Sequence, residues 1–160
     1  MNSAEYLYGK GKRIIDKDPQ SSICMFKIMN IEEINEKCGR DIGTQTIINI
    51  SNAIKKNIAS QYIFVRYIGP KFAIAFSGVD VESVQGFIIN LKEQLENIKI
   101  PVEQKNKSNA KKKTKEVFAS PTTNFVLSTY YKGTGLESVT KKLEEYLDDC
   151  DIKESNINCI

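Results

Sequence analysis

The chain has 160 residues, a formal net charge of +3 and no histidine. Its length suits one hydrophobic core, and 41% apolar against 27% charged residues excludes a disordered chain. Without histidine there is no Ser-His-Asp triad, Cys-His pair, imidazole base or His-ligated metal, so carboxylates, lysines, thiols or an oxygen-ligated metal must carry any chemistry.

Residues 1–5 (Met-Asn-Ser-Ala-Glu) lack the apolar stretch of a signal peptide, and no apolar run reaches membrane-spanning length. Residues 22–29 are apolar on both faces apart from Lys27, the pattern of a strand in the middle of a sheet. Asn30 with Glu33 three residues on predicts a capping box. A short helix follows to Cys38-Gly39, where glycine permits the exit. Asp41 is expected to cap a longer helix with Ile47, Ile50, Ile54 and Ile58 on one stripe.

Two β-rich runs, 62–68 and 72–76, are separated by Gly69-Pro70-Lys71, room for a hairpin and little else. Asp80 opens a helix carrying Phe87, Ile88, Leu91, Leu95 and Ile98 on one side. A strand is predicted over 124–131, and a last helix carries Leu136, Val139, Leu143 and Leu147. The order predicts an α+β sandwich, a five-stranded, mainly antiparallel sheet flanked by helices, formed as a single domain over 1–160.

Residues 105–115 hold six lysines, no acid and no large apolar group. Such a segment cannot enter a core. It lacks the arginines and interleaved aromatics of a nucleic-acid site, so it reads as a solvated surface insertion. Cys24, Cys38, Cys150 and Cys159 are too scattered for a zinc site or disulfide framework. They predict reduced thiols and a cytoplasmic protein. Cys159-Ile160 is not a prenylation box.

The motifs and their order resemble the GGDEF domain family of diguanylate cyclases. That family shows an opening Leu-Thr-Gly-Leu-x-Asn-Arg, then a first strand with Asp-x-Asp, Phe-Lys-x-Ile-Asn-Asp, Gly-His-x-x-Gly-Asp, and a hairpin turn bearing Arg-x-Gly-Gly-Asp/Glu-Glu-Phe. Here stand Leu7-Tyr8-Gly9-Lys10-Gly11-Lys12-Arg13, Ile34-Asn35-Glu36, Gly39-Arg40-Asp41-Ile42-Gly43-Thr44 and Arg66-Tyr67-Ile68-Gly69-Pro70-Lys71-Phe72. The resemblance extends from about Glu5 to Asn156. It implies a fold in which two domains each present a GTP, and two divalent metals held by first-strand and hairpin acids activate a ribose hydroxyl.

The resemblance also locates the departures. The first-strand metal Asp falls on Lys27 and its companion on Met29; the hairpin acids fall on Pro70 and Lys71, and the first turn glycine on Ile68. An ammonium cannot ligate Mg²⁺, Pro70 removes an N–H from the turn, and Ile68 adds bulk where backbone should approach a ligand. The guanine contacts map onto Asn35, which is retained, and Thr44, which replaces an acid. Asn35 alternatively just satisfies the turn of its helix. The triphosphate-binding basic residues map onto Asp151 and Ser155, and the inhibitory Arg-x-x-Asp onto Ala59-Ser60-Gln61-Tyr62.

The helix between opening motif and first strand is expected to be cut short, with Pro19 inside it. Lys27 is expected at the mouth of its strand or paired with Asp151 or Glu36, and Arg66 in a surface ion pair. The sharper alternative has Lys27 and Lys71 hold an anionic ligand in place of metal, within a nucleotide or anion site of Lys27, Asn35, Thr44, Gly69 and Lys71. Taken together, the residues predict a degenerate member with no catalytic residue, metal or cofactor, regulating cyclic-dinucleotide signalling by dimerisation or binding a partner protein. A metal-free GTP or phosphate sensor is the second reading. An active cyclase with relocated ligands drawn from Glu32, Glu33, Glu36 or Asp41 is the third. Because the chain starts almost on the opening motif, a domain excised from a longer sensor protein is also expected.

Overall fold

The computed structural model describes residues 2–102 and 117–160; the lysine-rich stretch at 105–115 lies outside them. Elements run in the order β1 (Asn2–Ser3), α1 (Ala4–Tyr6), a π-helical turn (Leu7–Gly11), α2 (Lys12–Ile15), β2 (Gln20–Ile28), α3 (Ile31–Cys38), α4 (Arg40–Asn57), β3 (Ile63–Arg66) and β4 (Lys71–Phe76). Then come α5 (Val81–Glu96), β5 (Ile100–Val102), β6 (Val117–Ala119), β7 (Thr123–Tyr131), α6 (Leu136–Asp149) and β8 (Ile157–Cys159).

The predicted α+β sandwich is the observed one. Its main sheet has the order β1-β3-β4-β2-β7-β8, six strands once the two-residue β1 is counted. The four inner strands pair antiparallel, and both edge strands pair parallel, β1 on β3 and β8 on β7. The sheet is therefore mixed. β5 and β6 form a separate two-stranded ribbon.

Period-two alternation divides the core between the two faces. Cys24, Phe26 and Ile28 of β2 face α4 and α5, meeting Ile50, Ile54, Ile88 and Leu91. Ile23 and Met25 face the other way, against α6 and the amino-terminal helical segment through Leu143, Leu147, Leu7 and Ile15. The opening motif thus lies inside the first helical stretch, not before it. Tyr8 in the π-helical turn ties that stretch down, its hydroxyl 2.7 Å from that of Tyr67 and 2.6 Å from Thr140 Oγ1.

A row of phenylalanines crosses four strands. Phe26 stacks on Phe72 (centroids 4.9 Å) and on Phe125 (4.6 Å), and Phe72 on Phe64 (6.0 Å). Phe26 is directly opposite Phe72 on β4 and Phe125 on β7.

Two expected caps are corrected. Asn30 does precede α3, but its side chain makes no cap bond. Instead its amide donates to the Ser120 carbonyl and its Oδ1 accepts the Thr122 N–H, because the loop before β7 offers backbone groups in need of partners. Gly39, with φ +96°, precedes α4, so Asp41 lies within the first turn and not at the cap; a carboxylate there still complements the helix dipole. Asp80 caps α5 as predicted, accepting the Ser83 N–H at 2.7 Å.

Candidate functional site

The β3–β4 turn is built by Tyr67 donating to the Lys71 carbonyl and Lys71 donating to that of Ile68, with Gly69 at φ +57°. That left-handed conformation suits glycine. Arg66 donates from Nε to the Gly69 carbonyl at 3.1 Å. It braces the turn, and the ion pair expected of it is replaced by this contact. Pro70, which has no N–H to offer, accepts from Ile28 through its carbonyl.

An open cleft of about 300 Å³ lies beside this turn, with Lys27, Met29, Gly69, Pro70, Lys71 and Asp148 among its lining residues. Register brings Lys27 directly opposite Lys71, so the two positions expected to bear metal-binding acids do face one another. Asn124 of β7 lies opposite Lys27 on its other side. Like charges in register destabilise a strand pair. Here α6 compensates. Glu144 and Asp148, four residues apart, share one helix face. Lys71 Nζ stands 3.0 Å from Glu144 Oε2 and 2.8 Å from Asp148 Oδ1, and Lys27 Nζ stands 3.5 Å from Asp148 Oδ1. The acid that pairs Lys27 is therefore Asp148, not Asp151 or Glu36: α6 runs beneath the hairpin, while Asp151 accepts locally from the Lys153 N–H.

The side chain of Lys71 is 10% exposed and that of Lys27 is 26%. Burial pushes the Lys71 ammonium down, but its bonds to Asp148 and Glu144 outweigh this, and it titrates above its ordinary value. Asp148 is pushed up by burial and pulled down harder by Lys71 and Lys27, so it titrates below the usual carboxylate range. Two ammoniums and two carboxylates cancel. A divalent cation would meet donors without lone pairs and acids already engaged, so these residues do not fit the family's metal pair.

Met29 is 5% exposed, and its N–H is taken by the Thr122 carbonyl. Of the acids that could have served from elsewhere, Glu32 lines the cleft, whereas Glu33 pairs with Lys37 at 2.8 Å on the solvent side.

The sequence-derived nucleotide or anion set divides in two. Lys27, Gly69 and Lys71 meet at the cleft. Asn35 and Thr44 sit on α3 and α4 and are not among the cleft's lining residues. The Asn35 side chain lies against Gly43 so closely that a Cβ there would overlap its Oδ1. Asn35 thus packs at the α3–α4 contact, and Thr44 is exposed. At the place of the inhibitory motif, Tyr62 packs edge-on against Phe76 (5.1 Å) within an apolar cleft that also includes Ala59 and Phe87. No charged side chain lines it.

Two parts of the site were not anticipated. One is the pair Glu144 and Asp148; their spacing beside Leu143 and Leu147 places them on the margin of the buried stripe. The other is Lys92 on α5. Its ammonium reaches Glu96 Oε2 (2.6 Å), Ser155 Oγ (2.8 Å) and the Thr123 carbonyl, and Ser155 also donates to Glu96 (3.0 Å). Burial raises Glu96, but Lys92, the Thr123 N–H and Ser155 together hold it below its ordinary value. This network fastens the segment 150–156, whose Cys150 and Ile152 form one cleft wall. Under that wall Asn124 accepts the Asn156 N–H through Oδ1. Its buried Nδ2 has no nitrogen or oxygen acceptor and only the Cys150 sulfur, a weak acceptor, beside it.

The family profile described as "Diguanylate cyclase, GGDEF domain" matches residues 5–124. No curated protein matches the sequence. Among solved structures, the fold is similar to that of the diguanylate cyclase SiaD from Pseudomonas aeruginosa, solved with its activator SiaC. The TM-score is 0.80 at 11% identity, over 99% of this chain and 58% of that one. It is similar to the coiled coil and GGDEF domain of DgcB from Caulobacter crescentus in complex with c-di-GMP, with TM-score 0.80, 14% identity and coverage of 99% and 81%. The FimX GGDEF domain from Pseudomonas aeruginosa gives 0.75 at 13% identity, covering 99% and 93%. At such identities the likeness is one of fold, and the chain spans little more than half the length of SiaD.

Proposed function

The chain belongs to the diguanylate cyclase GGDEF domain family, and from that premise we propose that it is a catalytically inactive member. It acts in cyclic-dinucleotide signalling by self-association or by binding a partner protein. The observation that carries this reading is the ion-paired set Lys27–Asp148–Lys71–Glu144. Family chemistry places metal-binding acids where the two lysines stand, and their charge is neutralised from within the chain. Turnover of GTP needs a metal to stabilise the developing charge on phosphate, and an ammonium pair locked to carboxylates supplies neither metal nor metal site.

That solved relatives of this fold include one bound to an activator protein supports a role exercised through protein contacts. No helix among the described residues is long and apolar enough to cross a membrane.

The test is calorimetric titration of the whole chain with GTP and cyclic di-GMP, each with and without Mg²⁺, alongside an assay for cyclic di-GMP synthesis. The expected result is no synthesis and no Mg²⁺-dependent GTP binding. Metal-dependent GTP binding sinks the proposal. Metal-independent binding would favour the anion sensor, built on Lys27, which is held by Asp148 only at 3.5 Å.

A further inference from the structure

The charges lining the cleft beside the hairpin turn balance, the ammoniums of Lys27 and Lys71 against the carboxylates of Glu32 and Asp148. They are not equally engaged. Lys71 is closed onto Asp148 at 2.8 Å and Glu144 at 3.0 Å. Lys27 meets only Asp148, at 3.5 Å, and 26% of its side chain is exposed. An ammonium carries three donors, so most of the capacity of Lys27 is open. Glu32, in the first turn of α3, is exposed and takes part in no ion pair or side-chain hydrogen bond among the described residues. It lines the same opening as Lys27, yet the two stand beyond ion-pairing reach of one another. Internal pairing therefore leaves one spare ammonium and one spare carboxylate, held apart across one concavity.

The opening also has an aliphatic side. Ile68 of the hairpin turn and Ile152 of the segment after α6 both line it, and they are bare for their size, at 59% and 54% exposure. Scattered exposed aliphatics need no explanation, but two large ones bordering one concavity gain by being covered together. The volume of about 300 Å³ stands at the lower end for ligand pockets, which selects a small molecule.

These features discriminate among ligands. A triphosphate would bring several negative charges to one spare ammonium, with Glu32 and Asp148 beside it. A simple carboxylate would leave Glu32 and both isoleucines unused, and a simple cation would leave Lys27 unused. A molecule with one charge of each sign and an aliphatic body engages all three, through two charge-assisted hydrogen bonds and apolar contact. We propose that the cleft binds a small zwitterion with an aliphatic side chain, the chemistry of an apolar α-amino acid. Its carboxylate meets Lys27, its ammonium meets Glu32, and its side chain covers Ile68 and Ile152. The proposal rests on the inactive-module reading, since GTP and its metals would need the same space.

The experiment titrates the ¹⁵N-labelled full chain with leucine and three controls. N-acetyl-leucine lacks the ammonium, leucine amide lacks the carboxylate, and glycine lacks the aliphatic group. Leucine is expected to shift the backbone resonances of Lys27, Glu32, Ile68 and Ile152, and each control to bind at least about tenfold more weakly. Glu32→Gln should erase the preference for leucine over N-acetyl-leucine, and Lys27→Met the preference over leucine amide, each leaving the other preference in place. Glu32 is exposed, and in Lys27→Met the Asp148 carboxylate keeps Lys71, so both variants keep the wild-type fold, which their amide spectra verify.

Absence of leucine binding, any control binding as well as leucine, or preferences unmoved by the two variants overturns the proposal. GTP with Mg²⁺ is added to fresh samples of the same protein. Resonance shifts at Lys27, Gly69 and Lys71 that require Mg²⁺ overturn the inactive-module reading whatever leucine does, whereas a silent GTP arm with silent leucine overturns the zwitterion site alone.

Discussion

Two rows of side chains cross the same three strands one residue apart. Phe72, Phe26 and Phe125 face α4 and α5; Lys71, Lys27 and Asn124 face α6. The backbone ladder is continuous through both and does not distinguish them. What differs is how each row is reconciled with burial. The phenylalanines need only each other and the apolar helices above, gaining transfer free energy and ring stacking. The polar row is tolerable only because α6 delivers Glu144 and Asp148 to the same place, and even so the Asn124 Nδ2 has only the Cys150 sulfur beside it. Apolar packing secures the fold on both faces of the sheet, and the polar row is a local interruption of the α6 face at the hairpin end.

Breaking the aromatic row should have the largest effect. Phe26→Ala removes a fully buried ring stacked on two others and should cost about 3–5 kcal/mol, read from the urea midpoint. Next comes the return of acids to the polar row. Lys27→Asp with Lys71→Glu would gather four carboxylates and should cost about 2–3 kcal/mol, roughly 5–10 °C in Tm in the presence of EDTA. Mg²⁺ should recover part of that loss while leaving the wild-type Tm unmoved. A double variant indifferent to Mg²⁺ would mean that the acids do not converge as the register places them.

Lys71→Met keeps the side-chain stem but leaves Glu144 without its cation. Because the Asp148 side chain is 47% exposed, solvent moderates the cost to about 1–2 kcal/mol. The pH dependence of that difference is the finest probe. The lowered Asp148 gives stability that is complete above its unfolded value near about 3.9 and is lost as pH falls through the lower folded value. The raised Lys71 gives stability that is complete below its unfolded value and is lost as pH rises past the higher folded one. The gap between wild type and Lys71→Met should therefore be level between about pH 5 and 9 and close toward acid below about 4. A gap that changes around neutrality would assign the stability to other groups.

Much of the fold was legible because it depends on local periodicity. The buried strand around Phe26, the hairpin at Gly69-Pro70 and the isoleucine stripe of α4 each fall within one window of sequence. The Asp80 cap was legible too, as it bonds three residues away. Asn30 and Asp41 carry similar cap signals, but the first is claimed by a loop 90 residues away, and Gly39 takes the position before α4. The short edge strands β1 and β8 have too few residues for a pattern and exist through pairing alone. The departures at Lys27 and Lys71 were legible as chemistry. Their partners were not, because which acid of α6 reaches them depends on how far that helix slides along the sheet. Lys92 was hidden for the same reason: its acceptors come from β7 and from the segment after α6.

Lys92 has one more effect. It sits on the α5 side of the sheet, yet through Ser155 it holds residues that wall the cleft on the α6 side. One ammonium thus joins three parts of the chain that are remote in sequence, α5, the first residue of β7 and the segment after α6.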